Sequence, residues 1–269
     1  MNANARTERT LPAQATHQDP GLALFAELIG LLQMHRGASL AALGGLENFH
    51  QQATALHPQI DTLLAKVAYQ AIQTDPAQWQ LITGEWENTR RHWRQDSALA
   101  NFEIHNFLIE QCHRLLWQYV ESRPQLGQSE ADEFLFRDVP LHVEGLGQLR
   151  GLASYCLTQT PDAAEYQQCL PRVAQLSKQS HSSLVETQRV LIRMANQLQK
   201  ASSQYPSLLP TLQARVKLTG QFLQMVQTQL DAKTDAKPQP EKLFQIGTLA
   251  IEANQKVWTL LAQKRLLAA

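Results

Sequence analysis

The spacing of apolar residues most constrains how this chain can fold. Along nearly all of its 269 residues, apolar side chains recur every three or four positions, which places them on one face of a helix. The sequence has no alternating runs of β-branched residues and none of the Asn-Gly or Asp-Gly pairs typical of hairpin turns. It therefore predicts an all-α fold.

Proline, glycine and polar segments divide the chain into eight predicted helices. A linker at residues 123–130 separates two halves that follow the same plan. We interpret residues 1–20 as a disordered tail and residues 21–269 as one sensor domain of two tandem, pseudo-symmetric four-helix bundles, 21–123 and 130–269, related by duplication. The predicted helices cover residues 22–43, 46–74, 78–94, 98–122, 131–159, 160–202, 206–232 and 241–269.

Two arginines occupy positions where the apolar stripes would be expected to carry leucine. The stripes are Ile29, Leu32, Arg36, Leu40 and Leu43, and Val143, Leu146, Arg150, Ala153 and Leu157. A guanidinium group stays protonated, so inside a core it needs acceptors. Neither Arg36 nor Arg150 has an acidic residue three or four positions away. We therefore predict that a bound anion supplies the missing charge.

There are two alternatives to a bound anion. Each arginine could form a buried salt bridge with a carboxylate on another helix, or its side chain could extend to solvent at the end of a bundle. Glu110 and Glu252 are the obvious partners because they occur at matching places in the two halves. Each has a basic residue four positions later, Arg114 or Lys256, an arrangement typical of a solvated helix face.

Arg215 is a third candidate by the same stripe test, whereas Arg193 fails it. Arg215 shares a face with Leu208, Leu212, Leu218 and Phe222. Several glycines also flank the first two arginines, and they indicate either close helix packing or space for a ligand and partner side chains. These glycines are Gly30, Gly37, Gly145, Gly147 and Gly151.

Composition excludes several classes of function. The 24 basic and 24 acidic residues balance, so no overall field favours nucleic acid or an acidic membrane. No apolar stretch is long enough to span a membrane, and the N-terminus lacks the apolar segment of a signal peptide. Cys112, Cys156 and Cys169 lack metal-ligand spacing, and we interpret them as small buried hydrophobic residues in a reducing cytoplasm.

The segment LLQMHRGAS (31–39) resembles the first-helix signature of the nitrate- and nitrite-sensing (NIT) domain family, and GQLRGL (147–152) resembles the corresponding element of its second bundle. The resemblance covers about residues 22–267. It implies a helical sensor that binds nitrate or nitrite through arginines from both bundles, here Arg36 and Arg150, with Arg215 as a later contributor. His35 stands where the family can carry another arginine, which implies pH-sensitive binding.

The family usually couples this sensor to an output module, such as an RNA-binding antiterminator, a kinase or a methyl-accepting domain. Since the predicted eighth helix reaches Ala269, we expect a stand-alone cytoplasmic sensor, without enzyme activity or cofactor, that acts on a separate output protein. Homodimerisation is a further expectation.

Two rival functions come from other patterns. Glu47-x-x-His50 and Glu110-x-x-His113 are similar to the ligand pairs of di-iron bundles, with Glu27 and Glu85 or Glu87 as candidate bridging ligands. Glu47 lies next to the turn at the start of the second helix, whereas Glu27 lies roughly 24 Å down the first helix, so the two do not share a layer. A heptad stripe of tryptophans indicates core or a helix-docking face, as a protein-interaction module without a small ligand would need. The stripe consists of Trp79, Trp86 and Trp93.

Overall fold

The computed structural model describes residues 20–124, 126–201, 208–230 and 237–268. Within these ranges every regular element is a helix and no strand occurs, which confirms the predicted all-α class. Residues 1–19 of the predicted tail and residues 233–236 of the predicted loop lie outside the described residues. The long helices are α1 (Pro20–Leu43), α2 (Asn48–Thr74), α3 (Pro76–His92), α4 (Ala98–Glu121), α5 (Val139–Cys156), α6 (Ala164–Ala201), α7 (Leu208–Leu230) and α8 (Pro240–Ala268).

Helix ends in the first half follow ordinary capping chemistry. After α1, Gly45 has a φ of 88°, a left-handed conformation that glycine adopts without a steric penalty. Asp75 caps α3 by accepting from the backbone N–H of Gln78 at 3.0 Å. Ser97 caps α4 by accepting from the backbone N–H of Ala100 at 3.2 Å, as the sequence predicts for this helix start.

Pro140 divides the predicted fifth helix. The segment begins with one helical turn, Glu130–Glu133, followed by a π-helical turn, Phe134–Asp138, before α5 starts. Proline has no N–H to donate to the carbonyl four residues earlier. Just before it, the N–H of Val139 donates to the carbonyl oxygen of Phe134, five residues back. The α-helical register is therefore reset here, and α5 begins eight residues later than the predicted start at 131.

Helix α1 lies at the centre of the described fold. It packs against α2 and α4, which also contact α3, and along another side it packs against α5. Helix α5 in turn contacts α6 and α8, and α7 packs against the same two helices. Because α1 has neighbours on several sides, its buried residues surround the helix axis and include the polar Gln33, His35, Arg36 and Ser39.

The two halves share their hydrophobic cores. The larger core is built mainly from α1–α4 but also contains Leu191 and Val257 from later helices. A second core is built mainly from α5–α8 and takes in Leu40 and Phe102 from the first half. Each half therefore buries apolar surface against the other, and the α1–α5 contact lies between the two cores.

The tryptophans and cysteines that the sequence predicts to be buried are buried. The tryptophan stripe is no more than 7% exposed, so it is core and is not available as a docking face. All three cysteines are buried and free, and burial raises the pKa of the Cys112 thiol to about 12. Among the helices in the described ranges, none has both the length and the apolarity needed to cross a membrane.

Candidate anion-binding site

Arg36 is fully buried and pairs with a carboxylate, so the prediction that it lacks one is wrong. Its Nη1 and Nη2 atoms donate to the two oxygens of Glu144 on α5, the second at 3.1 Å. Arg36 is 0% exposed and Glu144 is 6% exposed. The ion pair joins α1 to α5 at the contact between the two halves. Neither Glu110 nor Glu252, the partners suggested by the sequence, takes this place.

Glu144 also accepts from two neutral side chains. Gln33 and Gln148 each donate an amide N–H to it at 2.9 Å, while Arg36 makes a further bond to Asn106 Oδ1 at 2.7 Å. Burial raises the pKa of Glu144, but the charge and hydrogen bonds of Arg36 outweigh it and hold the pKa below its usual value. Glu144 is therefore ionised at neutral pH, and its pair with Arg36 carries no net charge.

Arg150 is a buried cation that no carboxylate pairs with in the described ranges. It is 2% exposed, and its Nη1 and Nη2 atoms donate to Thr248 Oγ1 at 2.9 Å and to the backbone oxygen of Gln33 at 3.2 Å. Its Nε has no hydrogen-bond partner among the described residues. The guanidinium group lies over the Phe244 ring, 4.6 Å from its centroid.

Arg150 remains charged at neutral pH despite its burial. Burial, followed by repulsion from Arg36, lowers the pKa of Arg150 to about 10. With Arg36 and Glu144 paired, the three groups together carry one net positive charge. One monoanion beside Arg150 would complete the charge balance of this cluster, in which the Nε atoms of both Arg36 and Arg150 have no hydrogen-bond partner among the described residues.

A cavity of about 520 Å³ extends from Arg150 between α1 and α8. Its lining reaches from Gln33 to Leu22 on α1 and from Thr248 to Ala262 on α8, so the two helices run antiparallel along it. At the rise of an α-helix, this is roughly 16 Å along α1. The apolar lining residues are Leu22, Ala23, Ala26, Leu31, Met34, Ile251, Trp258 and Ala262.

Glycines make room for both guanidinium groups. A Cβ atom at Gly147 would lie 2.8 Å from Arg36 Nη2, and one at Gly37 would lie 3.1 Å from Arg150 Nη2. Gly247 on α8 gives the same space to the Arg150 stem, since a Cβ there would lie 2.8 Å from Cγ. Space for arginine side chains therefore accounts for Gly37 and Gly147, whereas Gly151, whose Cβ would lie 3.0 Å from Leu40 Cδ1, shows close packing of α5 against α1.

Gly247→Ala is expected to lower the free energy of unfolding by about 1–3 kcal/mol. The added methyl group would lie 2.9 Å from the buried Phe222 ring as well as against Arg150. Gly84→Ala on α3 is the control, because no heavy atom of the described residues lies within 4 Å of its Cβ position. It should raise the stability by about 0.5–1 kcal/mol through helix propensity. Urea unfolding followed by circular dichroism measures the stability of both variants. Equal changes in the two variants would contradict the close packing around Gly247.

Arg215 is buried as predicted, but it lies in a different polar cluster. It donates to the side chains of Gln188, at 2.9 Å, Thr187 and Asn254, so all its acceptors within the described residues are neutral. Burial lowers the pKa of Arg215 to about 10. Arg215 is not among the residues that line the cavity at Arg150. The structure thus brings Arg36 and Arg150 together around Gln33 and Glu144 and leaves Arg215 apart.

His35 faces away from this cavity and belongs to a chain of three histidines. Its Nδ1 lies 2.7 Å from His105 Nε2, and its Nε2 lies 3.0 Å from His57 Nε2. The chain ends where His105 Nδ1 lies 2.7 Å from the backbone oxygen of Asn101. The sequence analysis gave His35 a place in the anion site, where it does not lie, and it did not connect His35 with His57 and His105 because the three residues come from three different helices.

The hydrogen bonds assign a tautomer to each neutral histidine. Since the Asn101 carbonyl only accepts, His105 carries its proton on Nδ1 and accepts at Nε2. His35 then donates from Nδ1 and accepts at Nε2, where His57 donates. Burial lowers the pKa of His105 to about 4, and burial together with the neighbouring histidines lowers the pKa of His35 well below its ordinary value. His35 therefore adds no charge near Arg36 at neutral pH.

The glutamates named by the sequence have other positions. Glu110 forms an exposed ion pair with Arg114, as the spacing predicts, while Glu252 lies at the exposed edge of the cavity. His113, three residues after Glu110, is instead buried. The described residues contain no group of three or more histidine, cysteine or acidic side chains placed to hold a metal ion.

No protein-family model, curated protein or solved structure matches this chain. The resemblance to the NIT family thus stays a prediction from two short motifs.

Proposed function

We propose that this chain is a cytoplasmic sensor that binds a small planar oxyanion, nitrate or nitrite, at Arg150. The observation that carries the proposal is a charged, buried guanidinium group whose Nε has no partner among the described residues and which lines a cavity. A buried charge is normally paired, and the described residues offer Arg150 only neutral acceptors. An anion in the cavity would supply the counter-charge, and a turn of the Arg150 side chain towards it would give Nε an acceptor.

Arg36 has a supporting role in this proposal. Its charge is balanced by Glu144, which also accepts from Gln33, and the backbone oxygen of Gln33 accepts from Arg150. The ion pair thus fixes the residue that orients Arg150. The sequence-based hypothesis of two arginines that share one ligand becomes a hypothesis of one binding arginine with a second that positions it.

The partners of Arg150 come from both halves of the chain, and this suggests how anion binding could produce a signal. Arg150 is on α5, Gln33 is on α1, and Thr248 and Phe244 are on α8, so an anion there would touch helices from both halves. We propose that the halves are four-helix bundles related by duplication and that the anion favours one relative arrangement of them. A separate output protein, or a second copy of the chain, would respond to that arrangement.

Thermal unfolding with and without nitrate tests the proposal. At nitrate a hundredfold above its Kd, the native state should gain about 2.7 kcal/mol and the melting temperature should rise. Sodium chloride at equal ionic strength is the control salt. Arg150→Gln should abolish the rise, whereas Arg193→Gln, which removes an exposed arginine, should keep it. A wild-type protein that responds equally to chloride, nitrate and nitrite would overturn the assignment.

A further inference from the structure

We propose that the cavity at Arg150 takes an organic monocarboxylate that carries an apolar chain. This inference rests on the anion site proposed above and names a larger ligand for it. The carboxylate would bind the Arg150 guanidinium group, and the chain would lie between α1 and α8.

The size of the cavity is the first argument. A planar oxyanion would occupy only the end at Arg150, where Gln33 and Thr248 also lie. The remaining cavity continues for roughly three turns of α1 to Leu22. Its volume of about 520 Å³ lies within the range of small-molecule sites, which are mostly apolar with a few polar groups that orient the ligand.

The distribution of polarity is the second argument. One end holds a buried cation with an unpartnered N–H, and most side chains beyond it are aliphatic or aromatic, while the polar ones are Glu27, Glu252, Gln255 and Thr259. A molecule with an anionic head and an apolar body matches both parts. Burial of each methylene group should tighten binding by about fourfold.

The acidic residues of the cavity lining indicate which carboxylates the site accepts. Glu27 on α1 and Glu252 on α8 are exposed residues of the cavity lining, and Glu252 is close enough to Arg150 to raise its pKa. Glu27 lies roughly 9 Å along α1 from Gln33, so it would repel a second carboxylate on the same ligand. The site therefore favours monocarboxylates over dicarboxylates of the same length.

Isothermal titration calorimetry with a ligand series tests the inference. The probes are nitrate, acetate, hexanoate and decanoate, with decanol and decanedioate as controls, all below micelle-forming concentrations. We expect the affinity to rise by about fourfold per methylene group from acetate until the cavity is filled. Decanol and decanedioate should each bind at least tenfold more weakly than decanoate.

Two variants test the Arg150 end of the cavity and its apolar part separately. Arg150→Gln should lower the affinity for decanoate to that for decanol. Ala26→Phe places a large side chain in the cavity wall away from Arg150, so it should remove the dependence on chain length and leave acetate and nitrate binding intact. The wild-type series stands by itself if either variant fails to fold.

The outcomes distinguish this inference from the proposed function. If nitrate binds but decanoate binds no better than acetate, the inference fails and the nitrate site stands. If decanoate binds tightly and nitrate does not, the inference is supported and nitrate is rejected as the ligand. Equal binding of decanol and decanoate, or no binding by any probe, overturns the inference.

Discussion

Replacing Glu144 with alanine is expected to lower the free energy of unfolding by about 3–5 kcal/mol, the typical effect of leaving a buried charge without its partner. Arg36 is 0% exposed and cannot reach water in place of the lost carboxylate. Within the described residues, the side-chain acceptor that Arg36 would keep is Asn106, which accepts only from Nη1. Gln33 and Gln148 would lose an acceptor at the same time.

Equilibrium unfolding in urea measures this effect, with Glu110→Ala as the matched control. Glu110 also pairs with an arginine, but both side chains are more than half exposed, so its loss should change the stability by no more than about 1 kcal/mol. The double variant Arg36→Met, Glu144→Leu should be less destabilised than Glu144→Ala, because no buried charge is left unpaired. If Glu144→Ala costs no more than Glu110→Ala, Arg36 does not depend on this ion pair.

Acidification from pH 7 to pH 5 is expected to lower the free energy of unfolding by about 2 kcal/mol for each deeply buried histidine. Burial lowers the pKa of His105 to about 4, and burial together with the charge of Arg215 lowers the pKa of His142 to about 3. In the unfolded chain both histidines titrate near 6.5. Their contribution is therefore present above pH 6.5 and is lost as the pH falls towards the folded pKa, since protons then bind the unfolded state preferentially.

The hydrogen bonds of the histidine chain also predict that acidification lowers the free energy of unfolding. Protonation of His105 would put a proton on Nε2, where His35 already donates, so two N–H groups would face each other at 2.7 Å. Carboxylates with lowered pKa values, such as Glu144, lose their contribution only below their unfolded pKa, so the window between pH 7 and pH 5 reports on histidines.

Urea unfolding at pH 7, 6 and 5 measures the slope of the free energy of unfolding against pH. His105→Gln should reduce it, whereas His92→Asn, at an exposed position on α3, should leave it unchanged. A stability that stays constant over this range, or an unchanged slope in His105→Gln, would mean that these histidines are not held neutral.

The stripe test predicted the burial of Arg36, Arg150 and Arg215 because helical periodicity determines which face of a helix is inward. It failed on Glu144 because it compared residues on one helix, and this partner is 108 residues from Arg36. A signal was nevertheless present. Glu144 is the one acidic residue in α5, a helix that is buried along almost its whole length. A lone carboxylate in such a helix predicts a buried partner, although the sequence does not say which.

Helix positions were predicted better than helix contacts. The end of α1 and the cap of α4 depend on local chemistry, so the sequence shows them directly. The π-helical turn before Pro140 also has a local cause, but its exact form depends on how α5 packs against its neighbours. The cavity at Arg150 depends on the distance between α1 and α8, which no local pattern encodes.

Arginine side-chain NMR during a nitrate titration tests the central claim most directly. The Nε–Hε resonance of Arg150 is identified by its absence in Arg150→Gln. The account predicts that nitrate shifts this resonance with single-site saturation, because this N–H has no partner among the described residues. The resonance of Arg215, whose Nε already donates to Asn254, should stay in place. An Arg150 resonance that stays unchanged to high nitrate concentration, or a shift at Arg36 alone, would contradict the account.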